Sequence, residues 1–350
     1  MTGKSAAQAI GDLAERAIGE HDGSLEPPAA APYLLKFSRR AMACQFELFL
    51  NAGQYRHAQT VAVATLDLVD QLEEQLTVYR DTSEVMAINR QAFGRPVNTE
   101  PRLFALLDQA VRLSAATGGA FDITAGPLTK LWGFYRRQGS VPSEAALAET
   151  LPRIGSQHLR LDPAERTIAF ALEGVELNLG AIGKGYALDR CGELLAEAAV
   201  HDYILHGGQS SVLARGSQAT SAGGQTGWTV SVGDPLRPGK QLAELRLLDR
   251  ALGTSGAGTQ FFRQNGRRYG HIIDPRTGWP AEGMLSATVL APTAAEADAL
   301  ATAFYILGAE RSPEFCDSHP DIAAVLIRQV ADADAEIQTA NLGEDVLKLL

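Results

Sequence analysis

Three stretches of this chain hold residue types and spacings suited to work on a phosphate group. The first is LGAIGKGYALDR, residues 179–190. Gly180, Gly183 and Gly185 free the backbone to come close to a ligand. A helix starting there presents unpaired N–H groups and a positive dipole end, which suit phosphate. Lys184 adds a mobile cation inside the turn. The spacing G-x-x-G-x-G is not the dinucleotide fingerprint, and no G-K-[ST] closes a Walker loop. A tight turn that only packs a helix on a strand fits this stretch equally well. The second stretch is PTAAEADALATAFYILG, residues 292–308. Thr293 and Glu296 form a capping box that starts a helix, and Gly308 is placed to end it. Asp298 and Thr302, one helical turn apart, project from one face and offer hard oxygen ligands to Mg²⁺. A solvated polar face has the same spacing. Asp298, however, sits among Ala and Leu, where a carboxylate is costly unless paired, hydrogen-bonded or bound to a metal. The third stretch, YGHIIDPRTGWP at residues 269–280, reads as a strand running into an Asp-Pro turn. His271 there is a candidate general base or phosphate donor, with Asp274 nearby. An ordinary turn with a structural histidine reads the stretch as well.

Two further stretches could complete a site. GGAFDITAGPLTKLWGF, residues 118–134, sets Phe121, Trp132 and Phe134 around Asp122. Aromatic faces can stack on a planar ring, and a carboxylate can accept from ring N–H or ribose hydroxyl groups, although such a run also serves as plain core. HGGQSSVLARG, from His206, puts Gly207 and Gly208 at a strand end, where backbone can approach a ligand or another strand.

The elements that must position these residues follow from periodicity. KFSRRAMACQFELFLNAG, residues 36–53, reads as a strand entering the fold, and residues 55–76 as a long amphipathic helix. Thr99 is the predicted cap of a second helix that Gly118 ends, and a short helix follows from Ser143. HLRLDPAERTIAFALEGVELNLG, residues 158–180, predicts three short strands. Further strands are expected at YILHGG, SVLAR, GWTVSVG, LAELRLL, RRYGHII, LSATVLA and DIAAVLIR. Many strands among separated helices, without regular βαβ alternation, predict an α+β fold with mixed or antiparallel sheets. No internal repeat and no mid-chain linker divide it. The expectation is a mobile leader over residues 1–35, one domain over 36–335 and a tail over 336–350.

Composition narrows the class. The chain has 350 residues, 45% hydrophobic and 21% charged, which is ordinary for a globular protein with a sizeable core. The formal net charge of -10 argues against sequence-independent binding to nucleic acid. Cys44, Cys191 and Cys316 are scattered and form no C-x-x-C, so neither a disulfide framework nor a zinc site is expected. No run reaches transmembrane length and no secretory signal is visible, so a cytoplasmic location is expected.

Together the motifs resemble the FAD:protein FMN transferase family, also called ApbE. In the family's order they are RRAMACQFEL, TVYRDTSEVMAINR, GGAFDITAGPLTKLWGF, LGAIGKGYALDR, HGGQSSVLARG, GTSGAGTQFF, YGHIIDPRTG and EADALATAFYILG, from about residue 39 to residue 308. The resemblance implies one ApbE-like domain with an FAD cleft between two lobes. It also implies Mg²⁺-dependent cleavage of the FAD pyrophosphate, transfer of FMN to a Ser or Thr hydroxyl of an acceptor flavoprotein, and release of AMP. An FAD pyrophosphatase using water as acceptor, or a flavin-binding protein without turnover, are the alternatives; retention of Asp298, Thr302 and His271 argues against the latter.

Carried over by position, Met42, Tyr79 and Ala120–Phe121–Asp122 match flavin-nucleotide contacts. Lys184 and the backbone at Ala181 match the phosphate and metal turn, Asp298 and Thr302 match the metal helix, and His271 and Ile273 match the strand beside the phosphates. Lys184 would then neutralise charge, and His271 or Asp274 would take the acceptor's proton. There are departures. Asn178 stands where many relatives carry Asp, which makes one cofactor hydrogen bond neutral. Gln209 stands where Asp often follows the double glycine, and AMACQ replaces the common Met-Gly-Thr. Many relatives are exported or lipid-anchored, whereas no lipobox cysteine is seen near this start.

Overall fold

The computed structural model describes residues 33–136, 138–219, 226–256, 258, 260–330 and 335–350. Alternating burial first builds a hairpin, β1 (Leu34–Ala41) and β2 (Cys44–Asn51), closed by Met42 and Ala43, both with positive φ. The chain continues through α1 (Ala58–Leu76), α2 (Glu84–Gln91), β3 (Val97–Asn98), α3 (Pro101–Ala116), α4 (Gly126–Leu131) and α5 (Glu144–Thr150). Next come β4 (Leu159–Asp162), β5 (Thr167–Phe170), α6 (Gly183–Glu197), β6 (Tyr203–Gly207), β7 (Ser211–Arg215), β8 (Trp228–Gly233) and β9 (Gln241–Leu247). The remainder is β10 (Ala251–Ser255), β11 (Phe261–Gln264), β12 (Arg267–Gly270), β13 (Met284–Ala291), α7 (Ala294–Ser318), β14 (Ala323–Gln329), β15 (Ala335–Ala340) and β16 (Leu347–Leu349).

An eight-stranded sheet in the order β1-β2-β6-β7-β10-β13-β14-β15 is the platform, and each of its pairs is antiparallel. One face is covered by α1, α6 and α7, whose apolar stripes join Phe46, Leu48, Leu205 and Val289 in the main core. The other face packs on the small sheet β16-β9-β8, where Leu252, Leu290 and Val325 meet Trp228 and Leu245. Two-sided burial explains why β14 opens on an unbroken apolar run, residues 323–327, and why β13 is buried on both faces along most of its length. A third cluster, Leu128, Trp132, Leu147, Ile154 and Ile273, lies under the hairpin β11–β12. The α+β expectation therefore holds, with antiparallel sheets.

Several local expectations are corrected. Glu100, not Thr99, caps α3: its carboxylate accepts the Arg102 and Leu103 N–H groups at 3.0 and 2.9 Å. VELNLG forms no strand; the Asn89 carboxamide instead bonds Leu177 N–H at 2.7 Å and Leu177 C=O at 3.0 Å. The expected tail folds back, with β15 pairing β14 and β16 pairing β9. At the other end β1 already takes in Leu34 and Leu35, and the rest of the expected leader, through residue 32, lies outside the described residues. Gly308 does interrupt α7, at φ 80° and ψ -176°.

Candidate active site

Residues 179–185 form the tight turn that their glycines call for. Asn178 Oδ1 accepts the Gly180 N–H at 2.9 Å, an Asx turn, and Gly183 N–H donates to Leu179 C=O at 2.7 Å. Ile182 at the N-cap of α6 has no side-chain oxygen to offer its helix. The charge comes from another element: Asp298 Oδ2, on α7, accepts the Gly185 N–H at 2.9 Å. Lys184 Nζ lies 3.1 and 3.3 Å from the two Asp298 oxygens, and Ser211 Oγ donates to Oδ1 at 2.6 Å. Asp298 is buried, while the Lys184 side chain keeps 23% of its surface exposed. Thr302 Oγ1, one turn along α7, is 3.0 Å from Ser255 Oγ on β10.

Two glycines make this approach of helix ends possible. A Cβ on Gly185 would lie 2.0 Å from Ala294 C=O, and one on Gly253 would lie 2.3 Å from Ala297 C=O. Backbone meets backbone at both places, so α7 seats Asp298 between α6 and β10.

His271 follows β12 directly. Its Nδ1 is 3.1 Å from Gln260 C=O, and its ring meets Phe134 edge-on at 6.4 Å. A Nδ1–H donated to that carbonyl leaves Nε2 as the acceptor. Burial first, and the charge of Lys184 last, push its pKa below the ordinary value, against the pull of the Gln260 carbonyl. The imidazole is therefore neutral at pH 7 and stands within the electrostatic field of Lys184. Asp274 is committed elsewhere. Arg276 grips it with Nε at 2.8 Å and Nη2 at 2.7 Å, and the Arg276 N–H adds a third bond at 2.9 Å. This carboxylate positions Arg276, and a role as the base would require its release from that grip.

The flavin-contact candidates divide. Tyr79 is 65% exposed and stacked on Tyr135 at 4.6 Å, an aromatic platform open to solvent. Met42 lies at the hairpin turn beside the main core. Cys44, two residues on, lies within electrostatic reach of Lys184 and Asp298, so this turn sits near the cluster. Ala120 and Phe121 are buried in the core, and Ile273 is buried in the small cluster, so their side chains serve packing. Asp122 accepts from Thr124 N–H and Oγ1, Ser114 Oγ, and Ser156 N–H and Oγ, at 2.6–2.9 Å. That carboxylate is already hydrogen-bonded from within the protein, so a ligand there would share it with these donors. The backbone of 120–122 and of Ile273 is also able to meet one. A cavity of about 670 Å³ adjoins this stretch, lined by Gly118, Gly119, Ser156, Pro275 and Arg276, and lies apart from Lys184, His271 and Asp298.

The donor set fits Mg²⁺. No group of three or more His, Cys, Asp or Glu gathers among the described residues. Magnesium is commonly held by one or two carboxylates together with water and substrate phosphates. A buried Asp298 bonded to the Ser211 hydroxyl, with the paired Thr302 and Ser255 hydroxyls one turn along α7, has that composition, and Lys184 already shows a cation seated on both of its oxygens. Ala181 stands in the facing turn.

Sequence reasoning passed over Ser211, Ser255, Asp189 and Arg276. Ser211 and Ser255 lie inside the HGGQSSV and GTSGAG motifs, and Asp189 inside LGAIGKGYALDR, so the segments were found but not these side chains. The partners of Ser211, Ser255 and Asp189 are distant in sequence, which no local spacing reveals, whereas Arg276 meets Asp274 two residues away.

Comparison with known proteins agrees with this geometry. The ApbE family model matches residues 42–326. A Treponema pallidum FAD:protein FMN transferase is 36% identical over 281 residues, covering 77% of this chain and 77% of its own length. A Klebsiella pneumoniae FAD:protein FMN transferase is 31% identical, covering 79% and 85%. Among solved structures, the ApbE protein of Thermotoga maritima superposes with a TM-score of 0.77 at 26% identity, over 87% of this chain and 97% of that one. The flavin transferase ApbE of Vibrio cholerae gives the same TM-score at 25% identity, over 88% and 97%. From its fold, its motifs and these relatives, the chain belongs to the ApbE family.

Proposed function

We propose that this protein is an FAD:protein FMN transferase that cleaves the pyrophosphate of FAD, joins FMN to a Ser or Thr hydroxyl of an acceptor flavoprotein, and releases AMP. The observation that carries the reading is the buried Asp298 joined to Lys184, Ser211 and the Gly185 N–H, with a neutral His271 in the field of Lys184. Mg²⁺, held by Asp298 and Thr302 oxygens and the Ala181 carbonyl, would supply positive charge to the pyrophosphate oxygens. Lys184, on a flexible and partly exposed stem, offsets the negative charge that develops on the departing AMP phosphate as the pyrophosphate bond breaks. The N–H groups of Gly183 and Gly185 are already bonded to Leu179 and Asp298, so α6 contributes to the same anion through the positive end of its dipole. His271 Nε2 takes the proton from the acceptor hydroxyl, while the Gln260 carbonyl holds the ring by Nδ1. The Tyr79–Tyr135 platform supports the flavin ring.

The test is incubation with FAD, Mg²⁺ and a flavoprotein bearing a Thr flavinylation site. Covalent flavin fluorescence should appear on the acceptor, with one AMP released per flavin attached. AMP release that is equally fast without acceptor, with no flavin attached, would replace this reading with a pyrophosphatase.

A further inference from the structure

We propose that a cavity on the back face of the main sheet, at the strand ends that carry Ser211 and Ser255, seats an extended segment of the acceptor protein as a strand added to the edge of β8; the proposal rests on the transferase reading above. The cavity measures about 420 Å³ and lies between the main sheet and the small sheet β16-β9-β8. Successive residues of a strand point to opposite faces. On β10, Ser255 turns to Thr302, and the residue before it, Thr254, turns into the cavity, where its hydroxyl lies 2.9 Å from that of Thr288 on β13. Ser211 likewise reaches Asp298, while Ser210 lines the cavity. The cavity and the Asp298 cluster are thus two sides of the same strand ends.

The lining defines what fits. Ser286, only 8% exposed, lines this cavity, and its hydroxyl has no hydrogen-bond partner among the described residues. A buried hydroxyl left unpaired carries a cost that an incoming polar group removes. The hydroxyls of Ser210, Thr254 and Thr288 stand on the same side of the cavity. Hydroxyls both donate and accept, which matches the N–H and C=O groups of a peptide better than it matches an anion. Lys240 is the one charged residue among the described lining. The facing wall is Val230–Gly233, four successive residues of β8, as the edge of a strand presents them. β8 ends its sheet, and β9 is its one partner strand among the described residues. Such an edge offers backbone groups to an extended peptide. The occupant selected is therefore an extended, uncharged run of small residues. An extended chain advances about 3.3 Å per residue, so a few further residues carry the acceptor hydroxyl over the strand ends to Lys184.

A fluorescent peptide of Gly, Ala and Ser around one Thr is the probe, titrated by anisotropy into the full chain with FAD present and Mg²⁺ left out. Alternate N–H groups of a strand point to one side, so N-methylation of one alternate set of amides should weaken binding about 10-fold. Methylation of the intervening set should leave binding near that of the unmodified peptide. Ser286→Leu fills the cavity, and Ser231→Tyr blocks it from an exposed position on β8 that the fold does not depend on. With a flavoprotein acceptor, each should raise the acceptor KM about 10-fold, with kcat at saturation and FAD affinity unchanged. If Ser286→Leu does not fold, Ser231→Tyr carries the test alone. Equal affinity for the two methylated peptides overturns the proposal, as does a wild-type acceptor KM in folded Ser231→Tyr. So does loss of FAD affinity in either variant, which would assign the cavity to the cofactor, or displacement of the peptide by inorganic phosphate, which would make it an anion site. A wild-type protein that binds the peptide in this way yet flavinylates no acceptor would count against the transferase reading instead.

Discussion

Asp189 and Asp298 brace each other's helices. Asp298 on α7 accepts the Gly185 N–H at the start of α6, and Asp189 on α6 accepts the Ala294 and Ala295 N–H groups, both at 2.8 Å, at the start of α7. Each carboxylate meets the positive end of the other's helix. The helix that presents Lys184 and the helix that presents Thr302 are thereby locked in one relation, so the 179–185 turn and the Asp298 and Thr302 side chains cannot drift apart independently.

Asp298 consequently has two roles, and substitution should expose both. Asp298→Asn removes the charge that Lys184 and the Gly185 N–H answer. Breaking a buried ion pair from one side costs about 3–5 kcal/mol, and solvent access to Lys184 should hold the loss below that range. A lowered melting temperature and loss of Mg²⁺-dependent AMP release should appear together. Thr302→Val separates the roles, since Thr302 touches Ser255 and its own helix rather than α6. It should fold nearly as well as wild type, within about 1.5 kcal/mol for the lost hydrogen bond, and need more Mg²⁺ for half-maximal rate. Wild-type turnover by Asp298→Asn at limiting Mg²⁺ would remove the metal assignment.

Gly253→Ala should be nearly as harmful although it touches no ligand. Its methyl would stand 2.3 Å from Ala297 C=O and 2.7 Å from Asp298 N, both backbone atoms that cannot swing aside. Overpacking of this kind costs about 1–3 kcal/mol or more, and it should shift Asp298 relative to Lys184. Gly94→Ala, whose nearest contact would be 3.7 Å away, is the control. Equal melting temperatures for the two variants would show that α7 has room to retreat.

What was legible in the sequence divides along the range of the interactions. Periodicity and caps are local, so α6, the capped start of α7 at Thr293 and the break at Gly308 could be read from the chain. Asp298 stood out because a carboxylate in an apolar helix needs a partner. The identity of its partners, Ser211 and Gly185, depends on a fold that brings together residues 87 and 113 positions away, and no spacing shows that. Asp122 and Asp274 each look like a carboxylate aimed at a ligand. Ser156 reaches Asp122 from 34 positions away, whereas Asp274 is held by Arg276 two residues on, a turn contact within one motif. VELNLG had a strand's alternation, but Asn89 took the hydrogen bonds a partner strand would have used.

Asp189 should make stability depend on pH in a direction opposite to most carboxylates. Burial raises its pKa to about 6 from 3.8, outweighing the two N–H bonds that lower it. The native state therefore keeps a proton that the unfolded chain has released between those values. Stability contributed this way is complete below about pH 4 and is lost as pH rises through about 6, by up to roughly 3 kcal/mol for a shift near two units. Asp189→Asn cannot titrate. Subtracting its urea-unfolding free energies from those of wild type across that window should give a difference that falls as pH rises, and a flat difference would show that Asp189 ionises normally.

His271 gives the last prediction. Its depressed pKa means the neutral imidazole survives below the ordinary histidine value of about 6.5. The acid limb of FMN transfer should accordingly lie below that value, with rate lost as pH falls and the ring protonates. His271→Ala should slow transfer by roughly 10²–10⁴-fold and erase that limb, with FAD affinity much less changed. If the ring only bonded phosphate, the same variant would weaken FAD binding and leave saturated turnover near wild type. Asp274→Asn offers the contrast. It loosens the grip on Arg276 without touching His271, so it should disturb binding through the 274–276 turn and leave the acid limb in place. Should the limb vanish in Asp274→Asn and persist in His271→Ala, the proton acceptor would be the carboxylate after all, released from Arg276 when substrate binds.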